Sequence, residues 1–403
     1  MMHVPPRSLL TVDIGAVRRN VRRLRSLLRP GTRFMAALKA DAYGHGALPV
    51  CQAVLQAGGD ALALATTEEA LELRESGVTA PLLVMGPVFS PAQMIELART
   101  GVQVAVVSPE MAEMLRHLPE DCRLRVHLKI DTGMNRQGLL PSELPKHLDT
   151  LRLLRPQVRV VGIMTHFASA SDEPNSVEWQ MERFLPCVET IRRDWPRAIA
   201  HAANSAATME HPASHLDLVR CGVAVYGMSP FQGDPREEGL KPALSWTSRV
   251  AMTKRVPSGE GVGYGLTFRR GGAATTVALV PVGYADGLFR ALGNRGRVLI
   301  RGRRYSMVGR VSMDSFAVDL GESTDVRTGD RVTLIGHDGS ESIRAEEMAG
   351  WVETINYEIT CATALRRAQR VVVDTEWEAT VTGQDAEFGS RRMTDATRRD
   401  DGR

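Results

Sequence analysis

This chain has few cysteines, little excess charge and no long apolar run, and each absence excludes a class of protein. The five cysteines are odd in number, far apart and without any Cys-x-x-Cys pair, which argues against a disulfide framework and a zinc knuckle. The 50 basic and 47 acidic residues leave a net charge of +3, too little to favour nucleic acid or an anionic membrane. No run approaches the roughly 18 apolar residues of a membrane span, and the start lacks the apolar core of a signal peptide. We therefore expect a cytoplasmic protein that acts on a small molecule.

Apart from these absences, the composition is that of an ordinary globular protein. Hydrophobic residues make up 43% of the chain and charged residues 24%. At 403 residues the chain exceeds the roughly 100–200 residues of a typical domain. We therefore expect one large domain and a smaller one, each with its own core.

Between Arg33 and Gly227, short apolar and β-branched runs alternate with amphipathic stretches of helical period. This alternation predicts repeated βα units around a parallel sheet, with good helix candidates at 90–100, 109–117 and 177–194. Eight such units predict an α/β fold of the (β/α)8 TIM-barrel type, whose active sites lie at the carboxyl ends of the strands. The eight predicted strands lie at 34–39, 61–65, 81–86, 102–107, 123–131, 158–167, 198–205 and 218–227.

Beyond about Gly239 the pattern changes to strand-like segments separated by glycine-rich turns, for example at 274–282, 297–300 and 331–335. This change predicts a mostly β second domain. We therefore assign residues 1–238 to the barrel and residues 239–383 to the β-rich C-terminal domain. Residues 384–403 are polar and charged with almost no apolar periodicity, so we expect a disordered tail there.

The most informative segment is Ala-Leu-Lys-Ala-Asp-Ala-Tyr-Gly-His-Gly at 37–46, in which Lys39 ends an apolar strand and enters a turn. An ammonium group that faces a barrel interior is costly to desolvate unless it is paired or neutralised. A Schiff base with an aldehyde cofactor removes that cost and creates an electrophile. For a lysine taken alone, a side chain that extends from the strand end into solvent is the more common arrangement.

This segment resembles the cofactor-lysine motif of the alanine racemase family, and the resemblance extends over residues 8 to 370. It implies an enzyme that uses pyridoxal 5'-phosphate (PLP), and no metal, to interconvert L-alanine and D-alanine for cell-wall precursors. The enzyme would be a homodimer whose active sites are shared between chains. Further blocks that resemble the family lie at 129–136, 165–167, 203–207, 220–227, 263–265, 281–287, 309–314 and 355–358.

The resemblance also implies which residues hold the cofactor's phosphate. Ser205, Gly222 and Val223 match family positions that bind it, and Tyr43 and Tyr357 match two tyrosines of the same site. Ser205 ends the seventh predicted strand, and Gly222 and Val223 lie in the middle of the eighth, near the loops where barrels of this type commonly bind phosphate. Taken alone, an Asn-Ser or Arg-Cys-Gly segment would be an ordinary loop.

Four further residues match family positions around the cofactor ring. Arg220 corresponds to the arginine that faces the pyridine nitrogen, where its permanent charge would oppose protonation of that nitrogen. His166 corresponds to a histidine stacked on the ring. Arg136 would contact the cofactor's phenolic oxygen and the substrate, and Lys129 resembles a lysine that some members carry as a carbamate. Without the resemblance, Arg220 would be interpreted as an ion-pair partner and His166 as a structural histidine.

Racemisation removes a proton from one face of the α-carbon and delivers another to the opposite face, so two groups must flank that carbon. Lys39 can be only one of them. The resemblance implies that Tyr264, in Gly-Val-Gly-Tyr-Gly, is the second base and reaches the neighbouring chain's barrel across the dimer interface. An unassisted tyrosine has a pKa of about 10, so the site must lower it or couple the hydroxyl to an acceptor. By itself, a tyrosine between glycines would be a turn residue.

The resemblance assigns a substrate entrance as well. The backbone amide of Met313 would help to hold the substrate carboxylate, with Asp314 beside it at the entrance. Tyr284 and again Tyr357 match an aromatic gate that narrows the approach. A narrow gate favours a substrate with a methyl side chain.

Three other functions fit parts of the pattern. A PLP-dependent amino-acid decarboxylase shares the plan of a barrel and a β domain, but we would expect an acid rather than Arg220 at its pyridine nitrogen. A PLP-carrying homeostasis protein is a lone barrel and needs neither the Tyr264 block nor Met313 and Asp314. A broad-specificity racemase is usually exported, and no signal peptide is seen here.

Overall fold

The computed structural model describes residues 6–173, 175–363 and 367–376. After a first strand, β1 (Ser8–Asp13), the chain forms all eight strands predicted for the barrel, each of them ending earlier than expected. These are β2 (Arg33–Ala37), β3 (Ala61–Leu64), β4 (Leu82–Val84), β5 (Gln103–Val106), β6 (Leu124–Lys129), β7 (Val158–Met164), β8 (Ile199–His201) and β9 (Leu218–Cys221).

These eight strands pair in parallel in the order β8-β7-β6-β5-β4-β3-β2-β9, so the first and last of them lie side by side. At the remaining seam, between β8 and β9, the backbone N–H groups of Asp217 and Arg220 donate to the carbonyls of Ala200 and Ala203 at 3.1 and 2.8 Å. The sheet is therefore a nearly closed barrel, which confirms the predicted fold class. Its carboxyl end gathers the loops that follow every strand.

Helices connect the barrel strands, and those predicted at 90–100, 109–117 and 177–194 are present with small shifts. Two of them begin in the same way, because the side chains of Ser90 and Ser108 accept the N–H groups of Gln93 and Met111, and a proline follows each serine. The helices in this part of the chain are α1 (Ile14–Arg25), α2 (Lys39–Tyr43), α3 (Ala47–Gln56), α4 (Thr67–Glu75), α5 (Pro91–Arg99), α6 (Pro109–Met114), α7 (Leu144–Leu153), α8 (Ser176–Asp194) and α9 (Ser205–Glu210).

The second domain is mostly β, as predicted. Its strands are β10 (Leu244–Arg249), β11 (Met252–Val256), β12 (Gly261–Val262), β13 (Phe268–Arg269), β14 (Thr275–Val280), β15 (Arg297–Ile300), β16 (Arg303–Val308), β17 (Phe316–Gly321), β18 (Arg331–Asp338), β19 (Glu341–Ile343) and β20 (Gln369–Val373). One sheet has the order β11-β14-β17-β16-β15-β18-β10-β1-β20, with β19 paired to β18, and β12 pairs with β13. Two helices, α10 (Ala345–Trp351) and α11 (Asn356–Thr363), follow β19.

The structure places the chain's first strand in the second domain's sheet and not in the barrel. β1 runs antiparallel to β10, with Ser8 opposite Ser248, and parallel to β20, with Leu9 opposite Gln369. Our assignment of residues 1–238 to the barrel is therefore wrong for β1, because a single division of the chain cannot assign a strand whose partners lie more than 200 residues away. The boundary near residue 239 stays a prediction, and the predicted tail at 384–403 lies outside the described residues.

The remaining features concern cysteines, membranes and metals. All five cysteines are free, and four of them are buried. Within residues 6–173, 175–363 and 367–376, no helix is long and apolar enough to cross a membrane. The same residues hold no group of three or more His, Cys, Asp or Glu side chains that could bind a metal ion.

Candidate active site

Lys39 lies at the carboxyl end of the barrel, two residues after β2, and opens α2, which is a left-handed turn rather than an ordinary helix. The four residues that follow it, Ala40 to Tyr43, all have φ between 51° and 55°, which is the left-handed region. Left-handed backbone costs about 1–2 kcal/mol for each residue that carries a Cβ. Strain of this kind persists only where surrounding contacts hold it, and it occurs most often at functional sites.

Two acidic side chains hold this turn in place. The Ala40 N–H donates to Glu69 Oε1 at 2.7 Å, and Glu69 also caps the start of α4. Asp41 Oδ2 accepts a hydrogen bond of 2.6 Å from Arg370 on β20. Anchors from both domains therefore fix the direction in which Lys39 leaves the strand.

The surroundings of Lys39 favour its neutral amine. Burial lowers the pKa of Lys39, and the positive charge of Arg136 lowers it further. Its Nζ lies 6.0 Å from the centre of the Tyr43 ring. Because only the neutral amine is a nucleophile or a base, this environment suits a lysine that reacts with an aldehyde or takes up a proton.

Ser205, Gly222 and Tyr43 come together at the same end of the barrel. The Gly222 N–H donates to Ser205 Oγ at 3.0 Å, and the Ala224 N–H lies 3.4 Å from the same oxygen. A Cβ on Gly222 would lie only 2.5 Å from Tyr43 Oη, so a larger residue there would displace the tyrosine. Val223 is buried at the start of the following 3-10 turn. Hydroxyl and backbone N–H donors in one place are the groups that a phosphate requires.

Arg220 is buried on β9, and its guanidinium is held by carbonyl oxygens and imidazoles. It donates to the carbonyls of Thr165, Ala202 and His201 at 2.7, 3.1 and 3.0 Å, and it lies 3.1 Å from His166 Nδ1. Burial lowers the pKa of Arg220 to about 10, which leaves the group charged at neutral pH. Across the described residues no carboxylate pairs with it. Any group that lies against Arg220 therefore meets a rigid cation.

The cations at this end of the barrel affect one another. Burial, followed by the charge of Arg220, lowers the pKa of His166 well below its ordinary value, so this imidazole is neutral. Burial and the charge of Arg136 lower the pKa of Lys129 to about 8. Lys129 Nζ donates to Gln137 Oε1 at 3.3 Å. Arg220, and Lys129 in part, thus give this end of the barrel a positive charge, which suits an anionic ligand.

Tyr357 reaches the barrel from the second domain of the same chain. It lies on α11, and its ring centre is 5.9 Å from that of Tyr43, whose ring in turn lies 4.8 Å from Tyr226. Burial raises the pKa of Tyr357 to about 12, so its hydroxyl stays protonated and can donate a hydrogen bond. The structure therefore brings Tyr357 to the predicted phosphate site.

Tyr264 lies elsewhere. It occupies the short loop between β12 and β13, where the flanking Gly263 and Gly265 have φ of 73° and 71°, and the residue is 70% exposed. Among the described residues, no hydrogen bond or ring contact joins Tyr264 to the barrel. One chain therefore does not bring Lys39 and Tyr264 together.

The predicted entrance residues also lie on the surface of the second domain. The Tyr284 N–H donates to the carbonyl of Ser312 at 3.1 Å, which places the turn that carries Tyr284 beside Met313. Both side chains are exposed. Asp314 is exposed as well and pairs with Arg367. Tyr264, Tyr284 and Met313 are thus all exposed on the surface of the single chain.

Comparison with known proteins decides the family. The N-terminal domain of alanine racemase matches residues 12–230, and its C-terminal domain matches residues 243–372. The chain belongs to the alanine racemase family. This confirms the resemblance seen in the sequence, and it makes the protein a racemase, an enzyme of the isomerase class.

The relatives of this alanine racemase family member cover nearly its whole length. The alanine racemase of Symbiobacterium thermophilum is 44% identical over 362 residues, which cover 88% of this chain and 94% of that protein. The alanine racemase of Synechocystis sp. is 40% identical over 88% of this chain and 96% of its own. Among solved structures, the alanine racemase of a D-cycloserine-producing Streptomyces lavendulae superposes with a TM-score of 0.85 at 36% identity, covering 92% of this chain and 98% of that one. The alanine racemase of Bacillus anthracis with bound L-Ala-P superposes with a TM-score of 0.84 at 34% identity, covering 92% of this chain and 96% of that one.

Sequence reasoning missed one buried residue of this racemase that holds a predicted site residue. Gln180 on α8 donates to the carbonyl of His166 at 3.1 Å and to Thr132 Oγ1 at 2.9 Å, and it accepts the N–H of Ala168 at 2.8 Å. Gln180 therefore fixes the backbone at His166 and at Ala168. The signal was present, because Gln180 is the polar member of an otherwise apolar helical stripe.

Proposed function

We propose that this chain is a PLP-dependent alanine racemase that interconverts L-alanine and D-alanine by a two-base reaction and supplies D-alanine for cell-wall precursors. One observation carries the proposal. Tyr43, four residues beyond Lys39 on the left-handed turn, packs its hydroxyl against Gly222 beside Ser205. One turn thus carries both the amine of Lys39 and a tyrosine that lines the proposed anion site. Purified, PLP-loaded protein that formed no D-alanine from L-alanine would contradict the proposal.

The residues present fit PLP. Lys39 would attach the cofactor covalently, and Ser205, Gly222, Val223, Tyr43 and Tyr357 would hold its phosphate. When bound, PLP supplies an aldehyde that condenses with amines and a conjugated ring that makes the α-hydrogen of the attached amino acid acidic. His166 would lie along the ring, and Arg136 would bind its phenolic oxygen and the substrate carboxylate.

The position of Arg220 supports a racemase over a decarboxylase. A cation held by carbonyls cannot donate a proton to a pyridine nitrogen at neutral pH, because its pKa is about 10 and no acid lies beside it within the described part of the chain. Arg220 would therefore leave the nitrogen of a bound PLP ring unprotonated, so that the ring would withdraw fewer electrons. A proton that is returned quickly to the α-carbon leaves less opportunity for side reactions, which suits racemisation.

The two-base step needs a second copy of the chain. The neutral amine of Lys39 takes the proton from one face of the α-carbon, and Tyr264 of the partner subunit delivers a proton to the other face. The exposure of Tyr264, Tyr284 and Met313 supports this arrangement, because all three are available to another barrel. Met313 would then bind the substrate carboxylate through its backbone amide, with Tyr284, Tyr357 and Asp314 at the entrance. A cytoplasmic location belongs to the same proposal.

Hybrid dimers test the shared site. Lys39→Ala and Tyr264→Phe chains, each inactive alone, should recover activity when co-expressed, since a hybrid dimer contains one site with both bases. Random pairing of equal amounts should give about a quarter of the wild-type activity, since half of the dimers carry one intact site each. Differently tagged chains allow the hybrid to be purified and assayed for D-alanine formation. A purified hybrid without activity would contradict the shared site.

Gly222→Ala tests the phosphate cradle. The added methyl group would lie 2.5 Å from Tyr43 Oη and must displace it, so PLP should bind about 10-fold or more weakly. Titration of the protein with PLP, followed by tyrosine and tryptophan fluorescence, measures the affinity. Gly233→Ala is the matched control, because a Cβ there meets nothing within 4 Å and PLP affinity should stay unchanged. Equal affinities in both variants would remove Gly222 from the cradle.

A further inference from the structure

Behind Arg220, a line of polar side chains crosses the interior of the barrel. Arg220 Nη1 lies 3.1 Å from His201 Nδ1, and His201 Nε2 lies 2.7 Å from His127 Nδ1. His127 Nε2 in turn lies 2.6 Å from Gln103 Oε1. The four residues come from β9, β8, β6 and β5, and the two histidines are 0% and 1% exposed. We call Gln103, His127 and His201 the histidine chain.

The donor and acceptor inventory of these groups leaves only one arrangement of protons. A guanidinium has donors and no acceptor, so His201 Nδ1 must accept from Arg220. The proton of neutral His201 is then on Nε2 and is donated to His127 Nδ1. By the same logic His127 carries its proton on Nε2 and donates it to the carbonyl oxygen of Gln103. Burial and the charge of Arg220 lower the pKa of both histidines, that of His127 to about 3, so both are neutral.

The histidine chain replaces apolar side chains that would otherwise fill the barrel interior. Barrel interiors are usually filled by Val, Ile and Leu side chains, and buried polar groups are tolerated only when all their hydrogen bonds are made. On β7, a Cβ at Gly162 would lie 2.0 Å from His127 Nδ1, so only glycine lets the imidazole occupy its place. The pairing of β6 with β7 shifts register between Val126 and His127. These features favour a specific task over simple filling.

We propose that His201 and His127 are positioning residues for Arg220. Each group donates a hydrogen bond to the next, from Arg220 through His201 and His127 to Gln103. These hydrogen bonds fix the plane of the Arg220 guanidinium relative to a bound cofactor ring. The inference rests on the proposed function, because the orientation of Arg220 affects the reaction only when a PLP ring lies against it.

The physical reason is directional. Three carbonyls at the ends of β7 and β8 accept hydrogen bonds from the terminal nitrogen atoms of Arg220. The lone pair of His201 Nδ1 lies in the plane of the imidazole, so it accepts from Arg220 in one direction only. Without that acceptor, one buried N–H of Arg220 loses its partner and the guanidinium turns to find another. Hydrogen bonds in a line also polarise one another, so the last donor affects the first.

Leucine variants of the histidine chain test the proposal. His201→Leu should shift the visible absorption band of the bound cofactor. It should also raise about 10-fold or more the yield, per racemisation event, of the side reaction that transfers alanine's amino group to PLP and so gives pyruvate and pyridoxamine phosphate. His127→Leu should change both quantities in the same direction but less, because the contact of Arg220 with His201 remains. His127→Gln can still accept from His201 and donate to Gln103, so it should restore both. His147→Leu, a buried histidine on α7 outside the barrel interior, is the matched control and should leave both unchanged.

The outcomes separate the two proposals. Wild-type protein that does not racemise alanine would contradict the proposed function, whatever the variants do. An active wild type together with a folded His201→Leu variant of unchanged spectrum and unchanged pyruvate yield would overturn the positioning role alone. If the leucine variants do not fold, ¹⁵N NMR of the wild-type histidines decides. Neutral rings with the proton on Nε2 in both His201 and His127 support the histidine chain, and a charged ring or a proton on Nδ1 would overturn it.

Discussion

Replacing Lys39 with alanine should reduce alanine racemisation by at least about 10⁴-fold, because one change removes both the covalent anchor of PLP and one of the two bases. Covalent attachment should disappear at the same time. Borohydride reduction followed by intact-protein mass spectrometry should show one reduced cofactor on each wild-type chain and none on the variant. D-alanine formation measured by chiral chromatography gives the rate.

Lys146→Ala is the matched control for this experiment, since Lys146 is an exposed lysine on α7, far along the chain from the left-handed turn. It should keep both the attached cofactor and the activity. A Lys39→Ala chain that still gained the mass of the cofactor would show that another amine holds it. The strained turn after β2 would then need a different explanation.

Tyr264→Phe should show the second large effect, and the pattern of the loss matters as much as its size. Racemisation should fall by about 10²–10⁴-fold, the usual contribution of a general acid or base. Exchange of the α-hydrogen with solvent should persist for one enantiomer, because Lys39 still acts on one face. Proton NMR in deuterated water measures exchange, and chiral chromatography measures inversion.

Tyr305→Phe on β16 is the control, being the same substitution in the same domain. It should leave exchange and inversion unchanged. Unchanged inversion in Tyr264→Phe would remove the second base from the proposal. It would instead favour a PLP-carrying homeostasis protein, whose barrel needs no residue from the second domain.

The barrel could be predicted because its signal is local. Runs of apolar, β-branched residues between amphipathic stretches predicted all eight strands, yet every predicted end was too late. The strand predicted at 198–205 ends at His201, because the Asn204 side chain accepts the Ala207 N–H and starts α9. The strand predicted at 218–227 ends at Cys221, because the apolar residues beyond it are buried in a 3-10 turn. Because buried residues continue beyond the ends of the strands, the apolar pattern alone cannot distinguish a strand from the buried turn that follows it.

Features that depend on distant pairings could not be predicted. Nothing local in β1 specifies that its neighbours are β10 and β20, since any short apolar strand can pair with either domain's sheet. The histidine chain and its contact with Arg220 depend on which side chains of four strands meet inside the barrel. A single histidine in β6 or β8 gives no such signal in the sequence.

The candidate site falls between these cases. Lys39, Ser205 and Gly222 each follow a barrel strand, and strand ends meet at one edge of a barrel, so their meeting could be predicted. The position of Tyr264 could not be derived in that way, because its proposed partner is a second copy of the chain. Its assignment depends on family resemblance, supported by the exposure of its side chain.

The most direct test of the account is chiral analysis of L-alanine incubated with purified, PLP-loaded protein in deuterated water. We expect D-alanine that carries deuterium at the α-carbon, because Lys39 and Tyr264 of the partner subunit exchange protons with solvent on opposite faces. Deuterium without inversion would mean that only one base works. If neither deuterium incorporation nor D-alanine were detected, this result would contradict the proposal that the protein racemises alanine.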